Sequence, residues 1–223
     1  MNILALDTSN EYCSLALLRD GHVAVREILA GQGHSELILA MLDEVLKQEG
    51  VKISEMNGIA YGSGPGSFTG LRIACGVAQG IAFGMDIPVV GIGTLHAMAQ
   101  AMDGDRIVAC LDARMGEIYF AAYERSGNRL VCIHEPGLYS PEDAPPLEGT
   151  GWVGCGSGFS AHGEKLVERY AGKMDRIDDA IRPHAREIAL LAQGEFDAGS
   201  GMDAAYAFPL YVRNRVALKE SER

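Results

Sequence analysis

Asp7-Thr8-Ser9 closes the first apolar run of the chain, Gly64-Pro65-Gly66-Ser67-Phe68-Thr69-Gly70 precedes its longest apolar segment, and Gly154-Cys155-Gly156-Ser157-Gly158 is a glycine-rich turn in the second half. An acid with two hydroxyls at the end of a strand can hold a hydrated magnesium ion and a phosphate. The same residues can equally form an Asx or Ser/Thr turn that satisfies only its own backbone. A glycine-rich loop at a helix start can present amides to an anion. Here, however, Pro65 removes one donor and no Lys follows to reach the outer phosphates, so a P-loop is not expected. A nucleophile elbow is not expected either, because Ser67 stands one position early for G-x-S-x-G. Asp7, Ser9 and Gly156 remain as candidate contacts, vestigial ones, to a nucleotide.

Metal and hydrolase chemistry finds little to work with. The six histidines, His22, His34, His96, His134, His162 and His184, include no pair at metal-ligand spacing. Five widely spaced cysteines without a CxxC pair read as buried thiols of a reducing compartment. A net charge of −11 and a pI near 5.0 argue against direct grip on a phosphate backbone, which needs clustered Lys and Arg. Ile3–Leu6 is too short and too acidic at its end for a secretion signal. The apolar stretch Ile73–Met85 falls short of the roughly 18 residues of a membrane span, so a buried helix and a cytosolic protein are expected.

The elements that must position these turns follow from periodicity. Ile3–Leu6, Cys13–Leu18 and Val23–Leu29 read as strands, the second closed by the hairpin signal Asp20-Gly21. Leu37, Ile38, Met41, Leu42, Val45 and Leu46 recur at helical spacing from His34 to Glu49. A strand at Gly58–Tyr61, a helix at Thr69–Met85, a strand at Val89–Ile92 and a helix from Thr94 to about Met102 complete the first half. Ile107–Asp112 and Glu117–Tyr123 then repeat the opening order of strand, acid, turn and strand, which suggests duplication of one α/β unit. Pro136–Gly149 reads as a surface loop, Trp152–Cys155 as a strand, and Phe159–Tyr170 and Ala185–Gln193 as helices. Ala205–Lys219 reads as a proline-interrupted segment with a basic end. The expected division is a lobe of residues 1–103, with a segment of about 204–223 packing on it, and a smaller lobe of residues 104–203.

Within Thr69–Met85 the glycines Gly76, Gly80 and Gly84 lie four apart, as do Gly70, Ala74, Ala78 and Ala82. Each interior glycine costs roughly 0.5–1 kcal/mol against alanine. Small residues at this spacing make flat faces for close packing, and a helix apolar all round has a second face to bury. That second face is the candidate for a partner protein.

Leu6-Asp7-Thr8-Ser9, His34-Ser35-Glu36, Gly64-Pro65-Gly66-Ser67-Phe68-Thr69-Gly70-Leu71-Arg72, Asp112-Ala113-Arg114-Met115-Gly116-Glu117 and Pro209-Leu210-Tyr211-Val212-Arg213 stand in the order seen in the TsaB (YeaZ) family, which the chain resembles over nearly its whole length. The resemblance implies an α/β fold of the actin-like, Hsp70-like and sugar-kinase-like (ASKHA, ribonuclease H-like) kind, with two related lobes. It implies a non-catalytic scaffold in the machinery that transfers threonylcarbamoyl to N6 of adenosine 37 in tRNAs reading ANN codons. Its partners would be the paralogous catalytic subunit TsaD and the ATPase TsaE, with a homodimer when alone and tRNA held only indirectly. ATP and magnesium would serve the whole complex, with no cofactor bound tightly by this chain. TsaD-like proteins carry paired metal-binding histidines on the first helix, where this chain offers His34 alone. The resemblance places the partner interface on the helices His34–Glu49 and Thr69–Met85, with Ile38, Met41, Leu42, Val45, Arg72, Cys75, Gly76 and Gln79 as its candidate residues. Two rival activities are an ATP-dependent kinase-like enzyme using Asp7, Ser9 and the Gly154–Gly158 turn, and a glycoprotease-like peptidase.

Overall fold

Strand β1 (Asn2–Asp7) is apolar from Ile3 to Leu6 and buried on both faces, which requires a layer of helices on each side. The computed structural model describes residues 1–127 and 129–213 and shows those layers. β1 pairs antiparallel with β2 (Tyr12–Arg19), and β2 with β3 (His22–Leu29). The β2–β3 connection is Asp20-Gly21, with φ of 50° and 80°, the tight hairpin geometry that matches the strand twist. Helix α1 (His34–Gln48) follows, then β4 (Gly58–Gly64), helix α2 (Phe68–Met85) and β5 (Val89–Gly93). β4 joins β1 in parallel and β5 joins β4, giving the order β3-β2-β1-β4-β5.

Helix α3 (Thr94–Gln100) leads to the second sheet, built from β6 (Arg106–Arg114), β7 (Glu117–Ser126), β8 (Arg129–Tyr139), β9 (Trp152–Cys155) and β10 (Met174–Asp178). Its order, β10-β9-β6-β7-β8, repeats that of the first sheet strand for strand, again with an antiparallel meander and two parallel additions. The duplication suggested by the sequence is therefore real at the level of topology. Helices α4 (Ser157–Arg169) and α5 (Ala185–Asp197) complete the fold.

The period-2 alternation of the strands sorts the core into layers. Leu4, Leu6, Leu15, Leu17, Ile59 and Tyr61 meet α1 and α2 on one face of the first sheet. Ile3, Ala5, Ala16, Leu18 and Ala60 meet Ala185, Ile188, Ala189 and Ala192 of α5 on the other. In the second sheet Ile107, Ala109 and Ala121 face Leu95, Met98 and Ala99 of α3, while Val108, Cys110 and Phe120 face Phe159 and Leu166 of α4.

Helices cross the expected boundary at residue 103: α3, from the first half, packs chiefly on the second sheet while its Ala97 meets the first, and α5, from the second half, covers the first. The exchange follows from the strands: each sheet has two apolar faces, and the helix that its own half leaves missing is supplied by the other.

Two further elements differ from the sequence reading. Pro136 lies inside β8 and not in a loop. β8 is an edge strand, and the register slips between Phe120↔Gly137 and Ala122↔His134, so Pro136 sits at a bulge where no ladder donor is needed. β10 carries no strand signal in the sequence, because Asp175–Asp178 is largely exposed and polar on an edge.

Residues 202–213 form a strap over the first sheet. Met202 and Val89 exchange backbone hydrogen bonds at 2.9 Å, Tyr61 Oη donates to the Phe208 carbonyl at 3.0 Å, and the Leu210 amide donates to the Ser63 carbonyl at 2.7 Å. The strap ends on the second sheet, where Arg213 donates to the Ala113 carbonyl at 2.9 Å and pairs with Glu117 at 2.7 Å. Residues 214–219 of the expected basic segment lie outside the described residues.

Candidate functional site

Asp7 ends β1 completely buried. Its Oδ1 accepts from the Ser9 amide at 3.1 Å, from Ser9 Oγ at 2.9 Å and from Asn10 Nδ2 at 3.3 Å. Its Oδ2 has no hydrogen-bond partner and presses on Gly62, where a Cβ would lie 1.9 Å from it. Burial pushes the carboxyl up from 3.8 to about 6 despite the opposing hydrogen bonds from Ser9. The acid and its hydroxyl therefore face each other and the floor of β4, not an open cleft.

The glycines of the 64–70 loop have the same kind of explanation. A Cβ at Gly64 would stand 2.6 Å from the Leu210 carbonyl oxygen, one at Gly66 2.8 Å from Ser9, and one at Gly70 1.8 Å from the Thr8 carbonyl oxygen. Thr8 Oγ1 donates to the Gly70 carbonyl at 2.6 Å, the Ser67 amide to the Ser9 carbonyl at 2.8 Å, and Thr94 Oγ1 to the Pro65 carbonyl at 2.5 Å. The loop thus clamps the start of α2 onto the β1–β2 turn, and Ser67 Oγ caps the helix by accepting from the Gly70 amide at 3.3 Å.

In the second half, a Cβ at Gly154 would meet the Phe159 ring at 2.7 Å, one at Gly156 the Cys110 carbonyl oxygen at 2.4 Å, and one at Gly158 Cys110 Sγ at 2.7 Å. The Gly156 amide donates to the Asp178 carbonyl at 3.0 Å. These glycines are filled by the chain itself. Asp7, Ser9 and Gly156 thus pack against the chain itself, with only Asp7 Oδ2 left without a hydrogen-bond partner among the described residues.

Helix α2 is different. Gly70, Leu71, Ala74, Cys75, Ala78 and Ala82 face the core. Gly76, Gly80 and Gly84 face away, and among the described residues a Cβ at any of them would meet nothing within 4 Å. They share this face with the half-buried Ile73 and Val77 and with Phe83, which is 80% exposed. By length and composition α2 could cross a membrane, yet one long side of it belongs to the core of the first sheet. One face of α2 is therefore buried in the chain's own core and the other is open, as the spacing of its small residues suggests.

The proposed interface residues divide accordingly. Ile38, Met41, Leu42 and Val45 of α1 and Cys75 of α2 are in the chain's own core, so their side chains are not available to a partner in this conformation. The α1 residues among them carry its helical periodicity, and periodicity marks the face that the chain itself buries. Gln79 donates through Nε2 to the Ala204 and Ala207 carbonyls, both at 3.1 Å, and so anchors the strap. Arg72 is exposed, with its guanidinium 3.7 Å from the centre of the Phe68 ring and its Nε donating to Tyr211 Oη at 2.9 Å. Gly76 lies at the middle of the open face.

Other apolar side chains lie beside the open face or on the exposed side of α1. They are Ile73, Val77 and Phe83 on α2 and Leu39, 59% exposed, on α1; Ile73 and Val77 are partly packed on the core. Leu39 had a visible signal, being apolar among Ser35, Glu36, Asp43 and Glu44 on the polar side of α1. His34 is buried at the head of α1 with Nε2 2.8 Å from the Asn10 carbonyl oxygen. Among the described residues no group of His, Cys, Asp or Glu could hold a metal ion.

Two sheets of identical strand order, interleaved with helices, define a protein of the two-lobed actin-like, ribonuclease H-like class. The chain is 36% identical to the tRNA threonylcarbamoyladenosine biosynthesis protein TsaB of Escherichia coli (strain K12), over 99% of this chain and 98% of that protein. It belongs to the TsaB (YeaZ) family. The TsaB protein of Haemophilus influenzae is also 36% identical, over 99% of this chain and 97% of its own length. The solved structure of YeaZ from Pseudomonas aeruginosa superposes with a TM-score of 0.87 at 35% identity, covering 94% of this chain and 99% of that one. A second P. aeruginosa structure, described as similar to peptidase YEAZ, matches equally well. The TsaD family model, described as tRNA N6-adenosine threonylcarbamoyltransferase, matches residues 27–152.

Proposed function

We propose that this chain is a cytoplasmic, non-catalytic subunit of the assembly that makes threonylcarbamoyladenosine in tRNA, and that it binds and supports TsaD through the open face of α2. The observation that carries the reading is the stripe Gly76, Gly80 and Gly84. Three glycines weaken a solvent-facing helix, and among the described residues nothing approaches them. A partner helix seated on the stripe would gain close backbone contact while covering Ile73, Val77 and Phe83. In the absence of TsaD a second copy would use the same face. TsaE, ATP and magnesium belong to the assembly in this reading, and tRNA is held by other subunits.

The kinase-like reading loses its support, since the acid and the glycines it needs are engaged within the chain. The peptidase reading has one neighbourhood to offer. Asp112 Oδ1 lies 3.7 Å from His162 Nε2, and Ser157 is beside them, but Ser157 Oγ accepts from the Asp112 amide at 3.1 Å and makes no hydrogen bond to His162. With no serine–histidine contact in this neighbourhood, the peptidase reading has no activated nucleophile to rest on.

The deciding experiment is reconstitution of tRNA modification from TsaD, TsaE, threonylcarbamoyl adenylate and tRNA, with and without this protein. Modification that needs the wild-type chain and is lost with Gly76→Leu, together with co-elution with TsaD, supports the reading. Equal modification without the chain overturns it.

A further inference from the structure

Helix α2 ends in a residue that its own stability disfavours. Asp86 caps it in the left-handed conformation, φ 54°, where Gly or Asn is the easier residue. It also sets a carboxylate at the negative end of the helix dipole, where a cation belongs, and the last turn holds no basic residue. Asp86 and Asp203 both line a cavity of about 310 Å³, whose walls also include Phe83, Ile87, Pro88 and Met202. Asp203 Oδ1 accepts from the Ala205 amide at 2.8 Å. Among the described residues neither carboxylate forms an ion pair, and no cation lies over the Phe83 ring.

The cavity continues the open face of α2, because Phe83 shares that face with Gly76 and Gly80. Resting on the reading that this face carries the partner, the geometry points to the cavity as the socket for an arginine side chain of the partner protein. A guanidinium stacks on an aromatic ring while its fork reaches carboxylates, and its apolar stem packs on side chains such as Ile87 and Met202. The negative rim and the helix C-terminus complement that charge, and the exposed ring completes the recognition.

The test measures the affinity of full-length chain for TsaD by calorimetry at low and high salt. Asp86→Asn with Asp203→Asn keeps both the left-handed cap and the Ala205 hydrogen bond, since Asn serves in each position. The double variant is expected to bind about tenfold more weakly at low salt, with the difference shrinking at high salt. Phe83→Leu is expected to weaken binding at both. If the double variant binds like the wild type while Gly76→Leu does not bind, the socket is overturned and the partner reading stands. If Gly76→Leu binds like the wild type, both fall. The same measurement in Arg215→Gln/Lys219→Gln/Arg223→Gln identifies a different occupant: loss of the Asp86/Asp203 effect there would mean that this chain's own basic end fills the socket, which overturns the proposal.

Discussion

The carbonyl oxygen of Thr8 occupies the space where residue 70 would carry a Cβ, 1.8 Å from its ideal position, and Thr8 Oγ1 returns a hydrogen bond to the Gly70 carbonyl at 2.6 Å. The first turn of α2 is thereby fixed against the end of β1 by backbone, which cannot move aside as a flexible side chain can. Gly70→Ala should destabilise the protein by about 3 kcal/mol or more. Chemical denaturation with the slope unchanged is the measurement; a loss below about 1 kcal/mol would mean that the helix shifts freely.

Six and ten residues further along the same helix the sign reverses. Gly76 and Gly80 have open space where a Cβ would go, so Gly76→Ala/Gly80→Ala should stabilise the isolated chain by about 1–2 kcal/mol. At this chain length that corresponds to a rise in Tm of about 2–8 °C. The same double variant should bind TsaD more weakly, because each methyl stands between two backbones. Greater stability with undiminished binding would remove the case for a close-packed partner on this face.

The contrast between these glycines shows what the sequence could and could not convey. The strand–acid–turn–strand repeat at Asp7 and Asp112 was legible because hairpin and strand signals are local, and it led to the correct two-lobe class. The spacing of Gly76, Gly80 and Gly84 was equally visible. Its outward phase was not, because the phase is set by where the Ser67 cap and the Thr8–Gly70 clamp hold the helix. Nor could the sequence show that α3 and α5 trade lobes, since both carry apolar faces that suit either sheet. The side chains of Ile38, Met41, Leu42, Val45 and Cys75 fill the chain's own interior for a related reason: an apolar stripe at helical spacing is first of all a core signal. Pro136 misled because a bulge on an edge strand tolerates the residue that marks a loop elsewhere.

Asp7 makes a prediction about pH. Its carboxyl is raised from 3.8 to about 6 chiefly by burial, so the folded state holds a proton that the unfolded chain has already lost between these values. Stability must then fall as pH rises through this window, the reverse of a salt-bridged acid. Asp7→Asn removes the ionisation and keeps an oxygen to accept from Ser9. The variant should match the wild type near pH 3.5 and exceed it by roughly 3 kcal/mol above pH 7. Urea denaturation of both proteins across this range gives the difference directly, and a gap independent of pH would show that Asp7 is ionised in the fold.

Gln79 holds the strap at two points, donating to the Ala204 and Ala207 carbonyls at 3.1 Å, and Cys75 Sγ lies 3.5 Å from the same Ala207 oxygen. Burial raises the Cys75 thiol pKa, so its labelling by a thiol reagent reports the opening of the strap. Gln79→Ala removes one donor from each carbonyl, leaving the Ala204 oxygen with the Ala207 amide at 3.2 Å and the Ala207 oxygen with Cys75 Sγ, and should cost about 1–2 kcal/mol of local stability. Under conditions where opening and closing are fast, that loss accelerates alkylation of Cys75 about tenfold. Cys110 and Cys155, in the core of the second sheet, should label at unchanged rates, which separates strap opening from general unfolding. Equal acceleration at all three sites would show that Gln79 supports the whole fold; acceleration at Cys75 alone would show a strap that opens as a unit over a stable first sheet, with the open face of α2 beside it.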